Sequence, residues 1–272
     1  MKLPSLLIVV PTLDSYGLLP HLLASLQQQT WAHWRLLFID GPSGDEHRNW
    51  LHLCCGLEPR CQWQQQDSTQ PGIFGAMNQG FAAAEPDDWL LFWGSDDWAA
   101  SSSVLADLIA ALQHAVANGV VPDLVVCRGR YADASTGSLG RFTTFRHTTT
   151  LDGAGYRRAI LLGSTPPHQA TLFGPGARSR LDRYTPGFRL SADLDYFLQI
   201  SCHPDLQVQC IDLELVHMAN SGISSQQTQR RLQEVRRAYQ RAFGAVWWFP
   251  FLSRYTRRMF SLLHRRSTGM SR

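Results

Sequence analysis

The sequence lacks any run of about 18 apolar residues, the least that crosses a bilayer as a helix. Leu6 to Val10 is apolar, but only Lys2 precedes it and Pro11 stops it, so it is too short for a signal peptide. A cytoplasmic protein is expected. Six cysteines, at 54, 55, 61, 127, 202 and 210, form no CxxC pair, and no histidines accompany them at zinc spacing. Reduced thiols are expected, with neither a disulfide framework nor a zinc site. There is no Walker A sequence, no GxGxxG after the first apolar run, no GxSxG and no histidine pair at zincin spacing. P-loop, dinucleotide-binding, α/β-hydrolase and zincin chemistry are thereby set aside. No internal repeat or low-complexity segment is present.

What is there suits a globular protein with a sizeable core. The 272 residues are 44% hydrophobic, 11% aromatic and 17% charged, enough for one large domain or one domain with a tail. The net charge of +3 hides an asymmetry, because residues 228–272 carry 11 Arg and one acid, Glu234, and so sum to +10, leaving −7 for the rest. An acidic body with a basic tail points the tail toward an anionic surface.

Short apolar runs alternate with helical patterns through the first half. Leu6–Val10, Leu36–Ile39 and Trp89–Trp93 read as buried strands, and Cys61–Gln66 as a polar edge strand. Leu19, Leu22, Leu23 and Leu26 mark one helical face, with Asp14 or Ser15 as its cap. Helices are expected from about Ile73 to Ala84 and from the Ser101–Ser103 caps to Asn118-Gly119. The second half holds strand patterns near 123–128, 170–173 and 207–217 and a helix near 192–202. The order predicts an α/β fold, a mostly parallel central sheet with helices on both faces. Ligands in such sheets bind at the carboxyl ends of the strands, where Asp14, Asp40 and Asp96-Asp97 fall.

Several side chains there have two readings. Asp96 and Asp97 end an apolar strand, and adjacent carboxylates repel unless a cation or donors offset them. A hard divalent ion bridging them to phosphate fits, while a helix cap explains only one of the two. Asp40 is either a turn residue before Gly41-Pro42 or an acceptor for a nucleobase or ribose. Asp193 and Asp195 follow the capping Ser191, and either favour the helix dipole or supply a general base. His168, after Thr165-Pro166-Pro167, and His217, before Asn220-Ser221-Gly222, are each a structural residue or a functional one.

Together these pieces resemble the family 2 glycosyltransferases of the GT-A fold, over about residues 5–243. The likeness is greatest to small bacterial enzymes of exopolysaccharide, colanic-acid and O-antigen assembly. Val9-Val10-Pro11-Thr12-Leu13-Asp14 resembles their first strand and nucleotide-binding turn. Ile39-Asp40-Gly41-Pro42-Ser43-Gly44-Asp45 resembles an Ile-Asp-Gly-Gly-Ser-Thr-Asp segment whose first Asp binds the base. Gly72-Ile73-Phe74-Gly75-Ala76-Met77-Asn78-Gln79-Gly80 resembles Gly-Ile-Tyr-Asp-Ala-Met-Asn-Lys-Gly, and Trp93-Gly94-Ser95-Asp96-Asp97 a form of the DxD metal motif. His168-Gln169-Ala170-Thr171-Leu172-Phe173 and Ala192-Asp193-Leu194-Asp195 match in order and spacing. Asp14 replaces the usual Asn, Gly94 the first Asp of fuller DxD motifs, and Gln70, Gly75 and Ala192 further acids.

The resemblance implies an inverting glycosyltransferase with Asp193 as catalytic base. Pro11, Thr12, Asp14, Asp40, Gly72, Asn78, Ser95 and Asp96 would bind the nucleotide-diphosphate sugar, a UDP-sugar being favoured. His168 and Asp195 would stand on the acceptor side. Mn²⁺ or Mg²⁺ would sit on Asp96 and Asp97, with His217 as a further metal ligand. The acceptor would be a lipid-linked glycan, with no nucleic-acid partner. Alternatives are a polyprenyl-phosphate sugar transferase, a nucleotidyltransferase and a nucleotide-sugar-binding protein of weakened activity. Processive polymer synthesis is not expected without transmembrane helices.

Residues 1–244 would form the transferase domain, ending in an amphipathic helix over 228–243 with Leu232, Val235, Tyr239 and Phe243 on one face. Residues 245–272 would form a basic aromatic amphipathic tail. Trp247, Trp248, Phe249 and Phe251 precede a helix with Leu252, Tyr255, Met259, Leu262 and Leu263 on one side and Arg254, Arg257, Arg258 and Arg265 on the other. That is the make-up of an interfacial helix on the inner face of the plasma membrane; the other reading packs it on the body.

Overall fold

The structure, a computed structural model, describes residues 5–133, 136–145, 150–219 and 228–255. Strand β1 (Ser5–Thr12) is apolar on both faces because both are covered. Leu6, Ile8 and Val10 enter one core and Leu7 and Val9 the other. Parallel neighbours flank β1: β2 (Trp34–Asp40) on one side and β4 (Asp88–Phe92) on the other. The polar β3 (Cys61–Gln65) lies at the edge beyond β2. Thr12 pairs with Asp40 in register, so the ends of β1 and β2 meet at one place.

The second half adds β5 (Asp97–Ala99), β6 (Leu124–Ala132), β7 (Leu139–Phe142), β8 (Leu151–Asp152), β9 (Thr171–Phe173) and β10 (Gln207–Ala219). The sheet runs β3-β2-β1-β4-β9-β6-β10-β5, with β7 on β6 and β8 on β10. Short β9 is antiparallel to both neighbours and joins the block β1–β4 to the block of β6 and β10. Parallel pairing thus holds through the first half and between β6 and β10, while β5, β7, β8 and β9 run against the rest. The sheet is mixed.

Helices α1 (Leu19–Gln27), α2 (Asp45–Leu57) and α4 (Val104–Ala117) cover one face. On the other lie α3 (Ile73–Ala83), α5 (Gly153–Leu161), α6 (Pro175–Arg180), α7 (Ala192–Ile200) and α8 (Thr228–Phe243). Packing rather than capping holds α1. Neither Asp14 nor Ser15 caps it, but Leu19, Leu22 and Leu26 are buried, and each such side chain contributes ~1.5–3 kcal/mol against ~1 kcal/mol for a cap. Gly80 lets α3 close on the sheet, since an added Cβ would meet Val9 Cγ1 at 2.5 Å.

Helix α8 buries Glu234, Val235, Ala238, Tyr239 and Ala242, whereas Leu232, expected on that face, is 47% exposed. Residues 248–255 are helical again. Trp247 and Phe251 pack against the core, with Phe251 6.1 Å from the Tyr239 ring. Ser253 Oγ donates to Leu162 O at 3.1 Å and Arg254 Nη1 to Thr165 Oγ1 at 2.6 Å. The expected two-sided split therefore differs here. Arg254 turns to the body, while Leu252 is exposed together with Val246, Trp248 and Phe249. Met259, Leu262, Leu263, Arg257, Arg258 and Arg265 lie outside the described residues. No helix among those described is long and apolar enough to cross a membrane.

Candidate active site

At the paired ends of β1 and β2, Asp40 is fully buried. Its Oδ1 accepts from Thr12 Oγ1 at 3.0 Å and Ser43 Oγ at 2.6 Å, and His47 Nε2 lies 3.0 Å away. Its Oδ2 meets no donor among the described residues; Arg48 Nε is 3.9 Å off. A buried carboxylate oxygen without a donor is costly unless something else supplies one. An N–H of a bound nucleobase would.

Asp14 ties the same corner together. It alone among the described non-glycine residues has a positive φ, 46°, a conformation that Asp and Asn tolerate better than most. Its N–H donates to Ser43 Oγ at 2.9 Å and its Oδ1 accepts from Gly44 N at 2.7 Å. Ser95 Oγ donates to Pro11 O at 3.2 Å and Ser15 Oγ to Ser95 Oγ at 2.9 Å, joining the turn after β4 to the turn after β1.

That turn explains Gly94. Asp97, 3% exposed, folds back so that its Oδ2 accepts from Gly94 N at 2.6 Å. A Cβ on Gly94 would lie 2.8 Å from Asp96 Oδ1 and 3.3 Å from Asp97 Oδ2. Two carboxylates already crowd the place where a third would stand. Burial raises the Asp97 carboxyl well above the usual range, its neighbour's charge adding to this, and burial raises Asp96 too. Few donors offset this paired charge, so the chemistry of the pair fits a divalent cation. His217 does not join them. Its Nε2 meets Glu214 Oε1 at 2.9 Å and its ring packs edge-on to Trp98. Among the described residues no group of three His, Cys, Asp or Glu side chains is arranged to hold a metal.

The opposite wall starts at Trp93, whose Nε1 donates to Gln169 O at 3.0 Å and so fixes the turn carrying His168. His168 is buried among Phe92, Phe173, Tyr184 and Phe197, with Nε2 2.6 Å from Tyr184 Oη. Burial lowers its pKa and the Asp193 carboxylate opposes that. Asn78 is spent on the same wall. Its Oδ1 accepts from Tyr184 N at 2.7 Å and its Nδ2 donates to Tyr184 O at 3.1 Å. Gly72, at φ 88°, turns the chain into α3. Gln66 Nε2 holds the preceding loop through Gln70 O and Gly72 O, both at 2.7 Å.

The two acids of α7 part company. Asp193 is half-buried, and its side chain makes no hydrogen bond among the described residues. Asp195 is fully buried, paired with Arg241 of α8. It joins two helices rather than facing an acceptor. Glu234, also of α8, accepts from the N–H groups of Arg189, Leu190 and Ser191 at 3.0, 2.7 and 3.0 Å. It holds the segment that leads into α7, where Ser191 makes no side-chain cap bond. Residues 43, 47, 234 and 241 were not singled out from sequence. Only Ser43 lay inside a motif; His47 sits on a helix that no apolar period marked, and residues 234 and 241 pair with partners more than forty positions away.

The family model of Glycosyl transferase family 2 matches residues 7–162. A PGL/p-HBAD biosynthesis glycosyltransferase of Mycobacterium bovis is 29% identical over 208 residues, 76% of this chain and 73% of that one. An uncharacterized glycosyltransferase of Mycobacterium tuberculosis is 26% identical over 192 residues, 70% and 64% of the two chains. Residues 1–349 of S. aureus TarS superpose with a TM-score of 0.64 at 15% identity, over 86% of this chain and 64% of that one. TarS has also been solved with UDP-GlcNAc. The mannosyltransferase PcManGT of Pyrobaculum calidifontis, in complex with GDP-Man and Mn²⁺, gives 0.61 at 13% identity, over 89% and 65%. The chain thus spans just under two thirds of either solved chain, and these likenesses speak to the fold. The fold is GT-A, and the chain belongs to glycosyl transferase family 2.

Proposed function

We propose that the chain is an inverting glycosyltransferase that moves one sugar from a nucleotide-diphosphate sugar to a hydroxyl of a lipid-linked glycan, in making a cell-surface polysaccharide. One observation carries the reading. The Asp193 carboxylate has no hydrogen-bond donor among the described residues and its charge acts on His168, whose ring burial drives toward the neutral form, in the turn that Trp93 holds through Gln169 O. A base so placed can take the proton of an acceptor hydroxyl. Asp40 and Thr12 would receive the base, Gly72 and Ser95 would border the diphosphate, and Asp14 and Asn78 would hold the walls. A UDP-sugar is the favoured donor. Asp96, with Asp97 behind it, would hold Mn²⁺ or Mg²⁺. When bound, such an ion neutralises the leaving diphosphate. His168 fixes the wall on the acceptor side, and Asp195 acts through α7.

Residues 245–272 would rest on the anionic inner face of the plasma membrane, where a lipid-linked acceptor is found. Exposed Trp248, Phe249 and Leu252 support this, as does the excess of Arg over acid from residue 228 onward. The test is nucleotide release. With UDP-sugars, Mn²⁺ and a lipid-linked acceptor, UDP should be released and the acceptor should gain one sugar. Asp193→Ala should stop both while still binding UDP. Transfer by that variant at the parent rate would overturn the assignment. A monosaccharide-lipid product from polyprenyl phosphate would favour the phosphate-loading alternative.

A further inference from the structure

Between the start of α3 and the segment leading into α7 lies a recess of about 270 Å³. It is lined by Gly72 and Phe74 from the start of α3 and by Phe188, Arg189, Leu190 and Arg230. A second, more open recess of about 520 Å³ has polar walls, Gln229, Gln233 and Arg237 among them, and shares Arg230 with the first. The two recesses differ in character: one is largely apolar, the other polar, with a guanidinium at their common wall.

The surroundings are fixed. Arg237 stacks on the Phe188 ring at 4.7 Å. Glu234 holds the backbone of Arg189 and Leu190 and takes one side of Arg230, whose Nε is 3.3 Å from Glu234 Oε1. The Arg189 side chain is exposed and meets no acid among the described residues. Leu190 precedes Asp193 by three positions, so the recess adjoins the first turn of the helix that carries the proposed base.

We propose that this pair of recesses is the acceptor subsite and that it takes a phosphorylated amphiphile. Phe74, Phe188 and Leu190 take the hydrocarbon nearest the phosphate. Arg189 and Arg230 take the phosphate, whose planar, forked partners they are. The polar recess takes the sugar. The inference rests on the glycosyl-transfer reading above and adds to it the acceptor's charge and the residues that read it. The anion these arginines hold has two sources, the acceptor's phosphate or the donor's diphosphate, and the experiment separates them.

The full chain is titrated by calorimetry with dodecyl phosphate and with neutral dodecyl maltoside, each below its critical micelle concentration, with and without UDP. Dodecyl phosphate should bind at least tenfold more tightly than the maltoside, and Arg189→Ala should remove about tenfold of that. UDP should leave dodecyl phosphate binding unchanged. Equal affinity for the two detergents, or an undiminished signal in Arg189→Ala, would overturn the subsite. Displacement of dodecyl phosphate by UDP would overturn it too, by giving the arginines to the donor. UDP binding in the same samples tests the underlying reading by itself. UDP bound and dodecyl phosphate ignored would sink only the subsite, whereas failure to bind any nucleotide would sink the transferase.

Discussion

Glu234 Oε2 accepts the backbone N–H of Leu190 at 2.7 Å, across 44 positions of sequence. With the Arg189 and Ser191 bonds, a buried carboxylate gathers three consecutive N–H groups just ahead of α7. Glu234→Ala would leave those N–H groups without an acceptor. Such losses cost ~1–3 kcal/mol each when buried, and relaxation toward water brings the expected total to about 3 kcal/mol. Glu234→Gln keeps one acceptor oxygen and should cost less than half as much. Urea denaturation checks the order; equal stability of the alanine variant would show that these bonds carry no stability.

Asp193→Asn should lower kcat for transfer by about 10²–10⁴-fold, the usual share of a general base. UDP affinity should stay within twofold. A matching fall in UDP affinity would mean that Asp193 serves the donor instead.

Asp96→Asn should remove the stabilisation that Mn²⁺ gives the parent. At 100 times its dissociation constant an ion adds about 2.7 kcal/mol, or about 5 °C in a chain of this size. Thermal melts with and without Mn²⁺ read this without any turnover. An unchanged increment in the variant would place the ion elsewhere.

His168 gives a pH dependence. Burial lowers its pKa in the folded protein. Below about pH 6.5 the unfolded chain takes up a proton there that the folded chain refuses, so stability falls as pH falls. One such group contributes at most ~1.4 kcal/mol per pH unit. His168→Gln should make the decline between pH 7 and pH 5.5 shallower by up to that slope. Parallel curves for variant and parent would show that His168 titrates normally.

Trp248→Ser with Phe249→Ser should leave folding within about 0.5 kcal/mol of the parent, because both side chains are exposed. Sedimentation with vesicles of anionic lipid should fall at least tenfold, since about half of each ring is exposed and a fully buried ring contributes ~1.5–3 kcal/mol. Undiminished sedimentation would take those residues off the lipid surface.

The first half of the fold was legible because β1, β2 and β4 are buried on both faces and give way to polar or turn residues just after Thr12, Asp40 and Phe92. Those breaks set the strand ends that carry the site. Helix α2 was not legible. It buries only His47, Leu51 and Cys54, a narrow stripe that includes a polar residue, so no apolar period stands out. The three residues of β9 matched the motif near 170–173, but their antiparallel placement between β4 and β6 depends on partners distant in sequence. The acids divide by the same rule. Asp40 and Asp96 stand out as strand-end carboxylates, whereas Asp193 and Asp195 look alike until Arg241 of α8 is brought beside one of them. Glu234 reads as a lone acid in a basic stretch, and only folding shows three backbone donors waiting for it.

Helix α8 has a consequence for how the protein is made. A ribosome releases the chain from its N-terminus, and folding follows that order. The bonds that join Thr12, Asp40, Ser15 and Ser95 lie within the first hundred or so positions. The helix bearing Asp193 emerges next, but the side chains that tie it and its lead-in down, Glu234 and Arg241, come some forty residues later. During synthesis, the strand-end corner would have its own bonds before the helix bearing Asp193 is tied down. A chain cut short before Arg241 would keep the first and lose the second.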